Sequence, residues 1–276
     1  MKTGRSEIVT GKIVTDTRPR GAFENSQKNS MRSIRKLADV SLAIVCPMAN
    51  EGHSAIPFVA SVLSNCAGLG SKKFFAIVDR ASTDDTREVL EGQAGTTPEL
   101  TVIWAPENRG VVDAYQRGYR AALQTAADWI LEIDAGFSHQ PSDIPFLLEK
   151  MRHGYDCVFG SRFCPGGSLI ESPWSRYWLS YGGTLATNLL LNTGLTDTTS
   201  GFQLFSRESL EMVLHRGIQS RGPFFQTEMK AYCGKLNVAE VPIHYHSPTH
   251  RVGWTALADA LLNLSRLFRA RLTGTL

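Results

Sequence analysis

The chain has 276 residues, 42% of them hydrophobic, and 29 Lys and Arg against 26 Asp and Glu, a net charge of +3. That is enough chain for a sizeable folded core and too slight a basic excess to imply nucleic-acid binding. Cys46, Cys66, Cys157, Cys164 and Cys233 form no C-x-x-C pair, which argues against a disulfide framework or a structural zinc site and fits a reducing cytosol.

In chain order, residues 1–40 read as a basic, flexible extension ("RPRGAFENSQKNSMRSIRK"), with a short hairpin in "EIVTGKIV" as the alternative. The polar N-terminus carries no cleavable signal, and no apolar run approaches the roughly 18–20 residues that span a bilayer. A cytoplasmic protein is expected, with a peripheral membrane role left open. From Leu42 the pattern alternates. "LAIVCPM" (42–48) predicts a buried strand and 54–66 a helix. "KFFAIVD" (73–79) is the next strand, and "STDDTREVLEG" opens a helix with acids in its first turn. "LTVIWA" (100–105) follows, then a helix whose Val112, Tyr115, Tyr119, Ala122, Leu123 and Ala126 share one face. "WILEID" (129–134) and "DCVFGSRF" (156–163) flank a further helix. Beyond about Gly166 come a long apolar stretch from Trp174, the compact "DTTSGFQLF", a strand over 238–245 and a final helix from Trp254 to Leu272.

Strands alternating with helices predict an α/β three-layer sandwich with a mainly parallel sheet. Ligands of such sheets bind beyond the carboxyl ends of the strands. Four polar clusters occupy those places: Pro47 to Glu51, Asp79 to Asp84, Asn108 to Gly110 and Asp134 to His139. One such cluster is ordinary loop composition, whereas four at equivalent positions indicate a shared pocket.

The motifs go further. "CPMANE", "VDRASTDDT", "NRGVVDAYQRGYRAA", "IDAGFSHQP", "FGSRF", "DTTSGFQLF", "FFQTEM" and "AEVPIHY" occur in that order. In this the chain resembles the family-2 glycosyltransferases of GT-A (Rossmann-like) fold, most closely polyprenol or dolichol phosphate mannose synthases. The resemblance implies a GT-A domain over 41–253, followed by a C-terminal amphipathic helix over 254–276. It implies an inverting transfer of one sugar from a nucleotide-diphosphate sugar to a polyprenyl phosphate at the cytoplasmic membrane face. A soluble small-molecule acceptor, and a degenerate nucleotide-binding protein without catalysis, are the alternatives.

By the same resemblance the donor is bound by Pro47, Asn50, Glu51, Asp79, Asn108, Gly110, Ala135, Arg162 and Arg251. Ser200, Gln203 and Gln226 lie on the acceptor side. A divalent cation, Mg²⁺ or Mn²⁺, is expected at Asp134, with Ser138 and His139 as further ligands; cationic side chains carrying the diphosphate charge are the alternative. A lipid phosphate needs no general base, whereas a hydroxyl acceptor does, and Asp197 and Glu228 are then the candidates. Each also has a structural reading, as a turn holder or a helix pair.

Four positions depart from the family pattern. Gly136 replaces the second acid of D-x-D, Arg80 the second of V-D-D, Gln203 an arginine and Ala256 a lysine. The last helix places Leu257, Leu261, Leu264, Phe268 and Leu272 on one side with Arg266, Arg269 and Arg271 nearby, a pattern that suits a membrane surface, the core or a dimer mate.

Overall fold

A computed structural model describes residues 34–170, 174–246 and 253–276. The extension up to residue 33, its alternative hairpin, and Arg251 lie outside the described residues. The first half alternates as expected. It runs β1 (Ser41–Pro47), α1 (Ala55–Asn65), β2 (Ser71–Val78), α2 (Thr86–Ala94), β3 (Leu100–Trp104) and α3 (Val111–Leu123). Then come β4 (Trp129–Glu132), α4 (Ile144–Arg152) and β5 (Cys157–Ser161). The second half adds β6 (Ser168–Ile170), α5 (Trp174–Leu191), β7 (Gln203–Ser206), α6 (Arg207–Arg216) and α7 (Phe225–Tyr232). It closes with β8 (Val238–Pro242), β9 (His244–His246) and α8 (Trp254–Leu272).

The main sheet has the order β3-β2-β1-β4-β7-β5-β8. β7 runs antiparallel to both of its neighbours, and the other pairings are parallel. β1 is apolar on both faces because helices cover both sides of the sheet. Leu42, Ile44 and Cys46 point into one core, which holds Phe58, Phe74 and Leu131, while Ala43 and Val45 point into the other with Tyr115 and Tyr119. Gly118 lets α3 settle against this sheet, since a Cβ there would run into Val45 and Ile77.

Three expectations need correction. The strand read over 238–245 is two strands: Pro242, which has no N–H to donate, ends the ladder with β5, and β9 pairs with β6 instead. The domain starts before residue 41, because Arg35 donates to Asp128 at 2.9 Å and Val40 is buried. On α8 the inward stripe is Asn263, Leu264 and Leu267, and Leu261 and Leu272 are exposed.

Candidate active site at the strand ends

The first two strand-end loops are locked together by Asn50. Its backbone is left-handed (φ 60°), a region that asparagine tolerates better than most residues. Its Nδ2 donates to Ala81 O at 3.1 Å, its Oδ1 accepts from Thr83 N at 2.9 Å, and its own N–H reaches Ser82 Oγ at 3.0 Å. The Glu51 N–H donates to Thr86 Oγ1 at 2.7 Å, and the Gly52 N–H to Asp84 Oδ2 at 2.9 Å. Asn50 is thus a brace between the two loops. Asp79 and Asn108 do come together: Asn108 Nδ2 donates to Asp79 Oδ2 at 3.3 Å, and the Ala81 N–H caps Oδ1 at 2.9 Å. Pro47 ends β1 beside Ile77, and Gly110 precedes the first turn of α3.

The turn after β4 carries Asp134. Gly136 (φ 71°) and Phe137 (φ 58°) are successive left-handed residues. Phe137 is an unusual residue for that region, and its ring is held edge-on against Phe58 at 5.2 Å. Asp134 keeps 40% of its side chain exposed, receives the Tyr115 hydroxyl on Oδ1, and follows directly on the sheet, with Ala135 half-buried after it. The Asp134 N–H donates to His139 Nδ1 at 3.2 Å. The His139 ring is buried between Phe202 and Tyr245, and burial pulls its pKa down to about 4, so it is neutral. Its Nδ1 lone pair is therefore spent on the turn. Ser138 ties its carbonyl to the His246 N–H at 2.9 Å. Ser138, through its carbonyl, and His139, through Nδ1, thus hold the Asp134 turn.

A tyrosine–acid ladder lies beneath the site, and motif matching missed it. Tyr115 and Tyr119 are one helical turn apart on α3, a rise of about 6 Å. Glu132 and Asp134 are two residues apart on one face of an extended run, a rise of about 6.6 Å. The spacings match, so Tyr115 bonds Asp134 while Tyr119 bonds Glu132. Glu132 is fully buried, sits directly opposite Gln203 across the β4–β7 pair, and accepts from Gln226. Burial raises its pKa to about 8 against the opposing effect of the Tyr119 and Gln226 donors. Gln203 Nε2 donates to Gln226 Oε1, leaving Gln203 Oε1 buried with no hydrogen-bond partner among the described residues. Gln203 and Gln226 thus form a buried floor beside Glu132 under the site. The available signal was an acid in the middle of the apolar strand "WILEID".

Asp197 is also buried. Arg162 forks onto it, Nε to Oδ2 at 2.7 Å and Nη2 to Oδ1 at 2.9 Å, and Nη2 also reaches Thr199 Oγ1 at 2.5 Å. The Thr199 and Ser200 N–H groups donate to Asp197 Oδ1, and Lys230 Nζ binds the Asp197 and Ser200 carbonyls at 2.8 and 2.9 Å. Burial alone would push the Asp197 carboxyl up, but the Arg162 guanidinium outweighs it and holds the group well below the usual carboxylate range. Arg162 is committed to this turn rather than presented to a diphosphate, and Ser200 is buried within it. Glu228, buried too, accepts from the Gln219 and Ser220 N–H groups, from Ser220 Oγ at 2.5 Å, from the Tyr232 hydroxyl and from Arg266. It anchors a loop that lines a cavity of about 540 Å³, faced on the other side by Arg109, Gly110, Asp113 and Gln116. That cavity's lining does not include Asp79 or Asp134, so it flanks the strand-end site rather than forming its centre. Neither the Asp197 nor the Glu228 carboxylate faces open space; both are fully buried.

Residues 43–214 match the family model described as Glycosyl transferase family 2. The chain belongs to this family of glycosyltransferases. It is 35% identical over 195 residues to an undecaprenyl-phosphate mannosyltransferase of Micrococcus luteus, covering 69% of this chain and 80% of that protein. It is 29% identical over 205 residues to a polyprenol monophosphomannose synthase of Mycolicibacterium smegmatis, covering 73% of this chain and 76% of the relative. Among solved structures it shares its fold with glucosyl-3-phosphoglycerate synthase of Mycobacterium tuberculosis in complex with UDP, at TM-score 0.58 and 18% identity, over 85% of this chain and 80% of that one. The same enzyme with Mn²⁺, UDP-glucose and glycerol 3-phosphate also superposes at TM-score 0.58 and 18% identity, over 86% and 80% of the two chains. The family-2 glycosyltransferase and the GT-A fold expected from the motifs are thereby established.

Three His, Cys, Asp or Glu side chains do not converge on one point among the described residues. The oxygen donors at the turn nevertheless suit a hard divalent cation whose remaining shell is phosphate and water. Asp134 offers an exposed carboxylate, and a Cβ added at Gly136 would lie 2.5 Å from Glu51 Oε1, so a second carboxylate borders the gap in the motif.

Proposed function

We propose that this glycosyltransferase moves one sugar, with inversion, from a nucleotide-diphosphate sugar to a polyprenyl phosphate. The observation that carries this reading is that both base candidates, Asp197 and Glu228, are buried and saturated with hydrogen bonds. A hydroxyl acceptor needs a base within reach, whereas a phosphate monoester is already anionic. Its oxygen attacks the anomeric carbon, the bond to the donor diphosphate breaks, and the nucleoside diphosphate leaves with the electron pair. The names of the two bacterial relatives point to the same acceptor class.

Asp79 and Asn108 accept and position the nucleoside end, beside Pro47, Gly110 and Ala135. Asp134, oriented by the Tyr115 hydroxyl and the His139 ring, would hold a divalent cation. When bound, that cation neutralises the charge developing on the leaving diphosphate.

The acceptor's hydrocarbon calls for a membrane edge. No helix among the described residues is long and apolar enough to cross a bilayer. Instead α5 exposes Trp174 (78%) and Trp178 (60%), and α8 exposes Trp254 (86%) and Leu262 (70%). Trp178 packs with Tyr181, which meets Phe163 beside Arg162, so the aromatic patch is continuous with the buried site. Such an amphipathic aromatic surface suits peripheral contact with a membrane. Arg266 and Arg271 turn instead to Glu228 and the Leu190 carbonyl. The contact is thus assigned chiefly to apolar insertion by these exposed side chains.

The test compares polyprenyl phosphate with the corresponding polyprenol in detergent, using GDP-mannose and UDP-glucose as donors and mass spectrometry of the lipid product. Glycosylation of the phosphate alone is expected. Equal transfer to the alcohol, or to soluble alcohols, would overturn the reading.

A further inference from the structure

We infer that Glu51, from the loop after β1, supplies in space the carboxylate that Gly136 lacks in sequence, so that Glu51 and Asp134 together make the cation site. The inference rests on the donor-site reading above. The Glu51 carboxylate lies over the Gly136 backbone: a Cβ there would be 2.5 Å from Oε1 and 3.0 Å from both Cδ and Oε2. It therefore takes the volume into which a side chain at residue 136 would project, two residues beyond Asp134. Gly136 is the residue that permits this, by its left-handed backbone (φ 71°) as well as by its missing side chain.

Two further features make the placement a built one. Glu51 is held on its backbone side by Thr86 and on its side chain by the Ser54 hydroxyl, and Asn50 fixes the preceding peptide to the β2 loop. Cys46, buried at the end of β1, feels both acids: burial raises its thiol pKa most, and the charges of Asp134 and then Glu51 raise it further. The Glu51 carboxylate, from the β1 loop, thus borders the Gly136 position two residues beyond Asp134, which the β4 turn supplies. Ser54 occupies Oε2, and Tyr115 occupies Asp134 Oδ1, so each acid is oriented by one donor. Two carboxylates from separate loops make an oxygen set for a hard divalent cation, completed by the donor's phosphates and water.

The test measures Mn²⁺ binding by electron paramagnetic resonance on the full chain, with GDP and with UDP, alongside nucleotide affinity without metal and a thermal melt for each variant. Glu51→Gln, which preserves shape and hydrogen bonding, is expected to weaken Mn²⁺ about tenfold or more beyond any change in metal-free nucleotide affinity. Gly136→Asp alone collides with Glu51 and is not expected to tighten Mn²⁺. The exchange Glu51→Ser with Gly136→Asp moves the acid into the turn, at a backbone conformation aspartate tolerates, and is expected to restore Mn²⁺ binding to within about threefold of the parent chain. Parent-like Mn²⁺ affinity in Glu51→Gln, while Asp134→Asn loses it, would overturn the inference and leave the donor-site reading standing. Failure of the exchange variant to recover Mn²⁺ while folding normally would also overturn it. A parent chain that binds both nucleotides but not Mn²⁺ would overturn the cation assignment itself, and the inference with it.

Discussion

Arg162 and Asp197 form a buried two-point ion pair, with guanidinium-to-carboxylate distances of 2.7 and 2.9 Å, that closes the turn between α5 and β7. Removing one partner leaves the other charge buried and uncompensated, which costs about 3–5 kcal/mol. Asp197→Ala is therefore expected to lower unfolding stability by about that amount, read by denaturant titration at neutral pH. Because the folded-state pKa of Asp197 is depressed, the unfolded chain binds this proton first on acidification. The contribution is complete above the ordinary carboxylate value of 3.8 and is lost as pH falls through and below it. Asp197→Asn is expected to lack that part of the acid slope; an unchanged slope would contradict the assignment.

Tyr115→Phe removes the hydroxyl that orients Asp134 while keeping the ring in the core between Tyr119 and Phe225. Loss of one hydrogen bond to a charged group is worth roughly 1.5–3 kcal/mol where it acts. If that falls on the transition state, the rate drops at least tenfold, on the order of 10–100-fold. Sugar-transfer kinetics and a thermal melt check this together: kcat should fall while Tm moves little.

Asn50 separates backbone conformation from bracing. Asn50→Gly keeps the left-handed peptide and loses the side-chain bonds to Ala81 and Thr83, whereas Asn50→Ala also incurs roughly 1–2 kcal/mol of left-handed strain. Metal-free nucleotide affinity should weaken in both, and stability should fall further in Asn50→Ala. Equal stability of the two would show that the loop does not hold this conformation in solution.

Trp174→Ala with Trp178→Ala removes exposed rings of α5 that make no ring contact, among the described residues, with the tyrosines of the ladder under Asp134. Each ring contributes apolar area to membrane contact at about 25 cal/mol per Å² buried. Co-sedimentation with phosphatidylglycerol vesicles is expected to fall several-fold, while hydrolysis of the donor in water stays at the parent rate. Undiminished sedimentation would move the membrane contact elsewhere on the chain.

Much of this was legible in the chain. The alternation of "LAIVCPM", "KFFAIVD" and "LTVIWA" with helical periodicity carried the parallel half of the sheet, because residues buried on both faces must be apolar. The polar clusters after those strands located the site, since strand ends in such sheets converge. Less was visible where residues distant in sequence meet. That β7 turns antiparallel between β4 and β5, bringing Gln203 opposite Glu132, is a matter of sheet order. Motif position suggested contacts with ligand for Arg162, Glu228 and His139, but burial and prior hydrogen bonds bind them to the protein.

The residue that stood out as a gap shows the division most clearly. By itself the chain determined that Asp134 ends a buried strand in a polar turn and that Gly136 has no acid to offer, because those depend on local pattern and identity. Only the folded arrangement decided what fills the gap. Asn50 and Thr86 fix the β1 loop so that the Glu51 carboxylate lies over Gly136, eighty-five positions away in the chain (136 − 51). A side-chain volume left open by one residue can be occupied by any other that the sheet brings within reach.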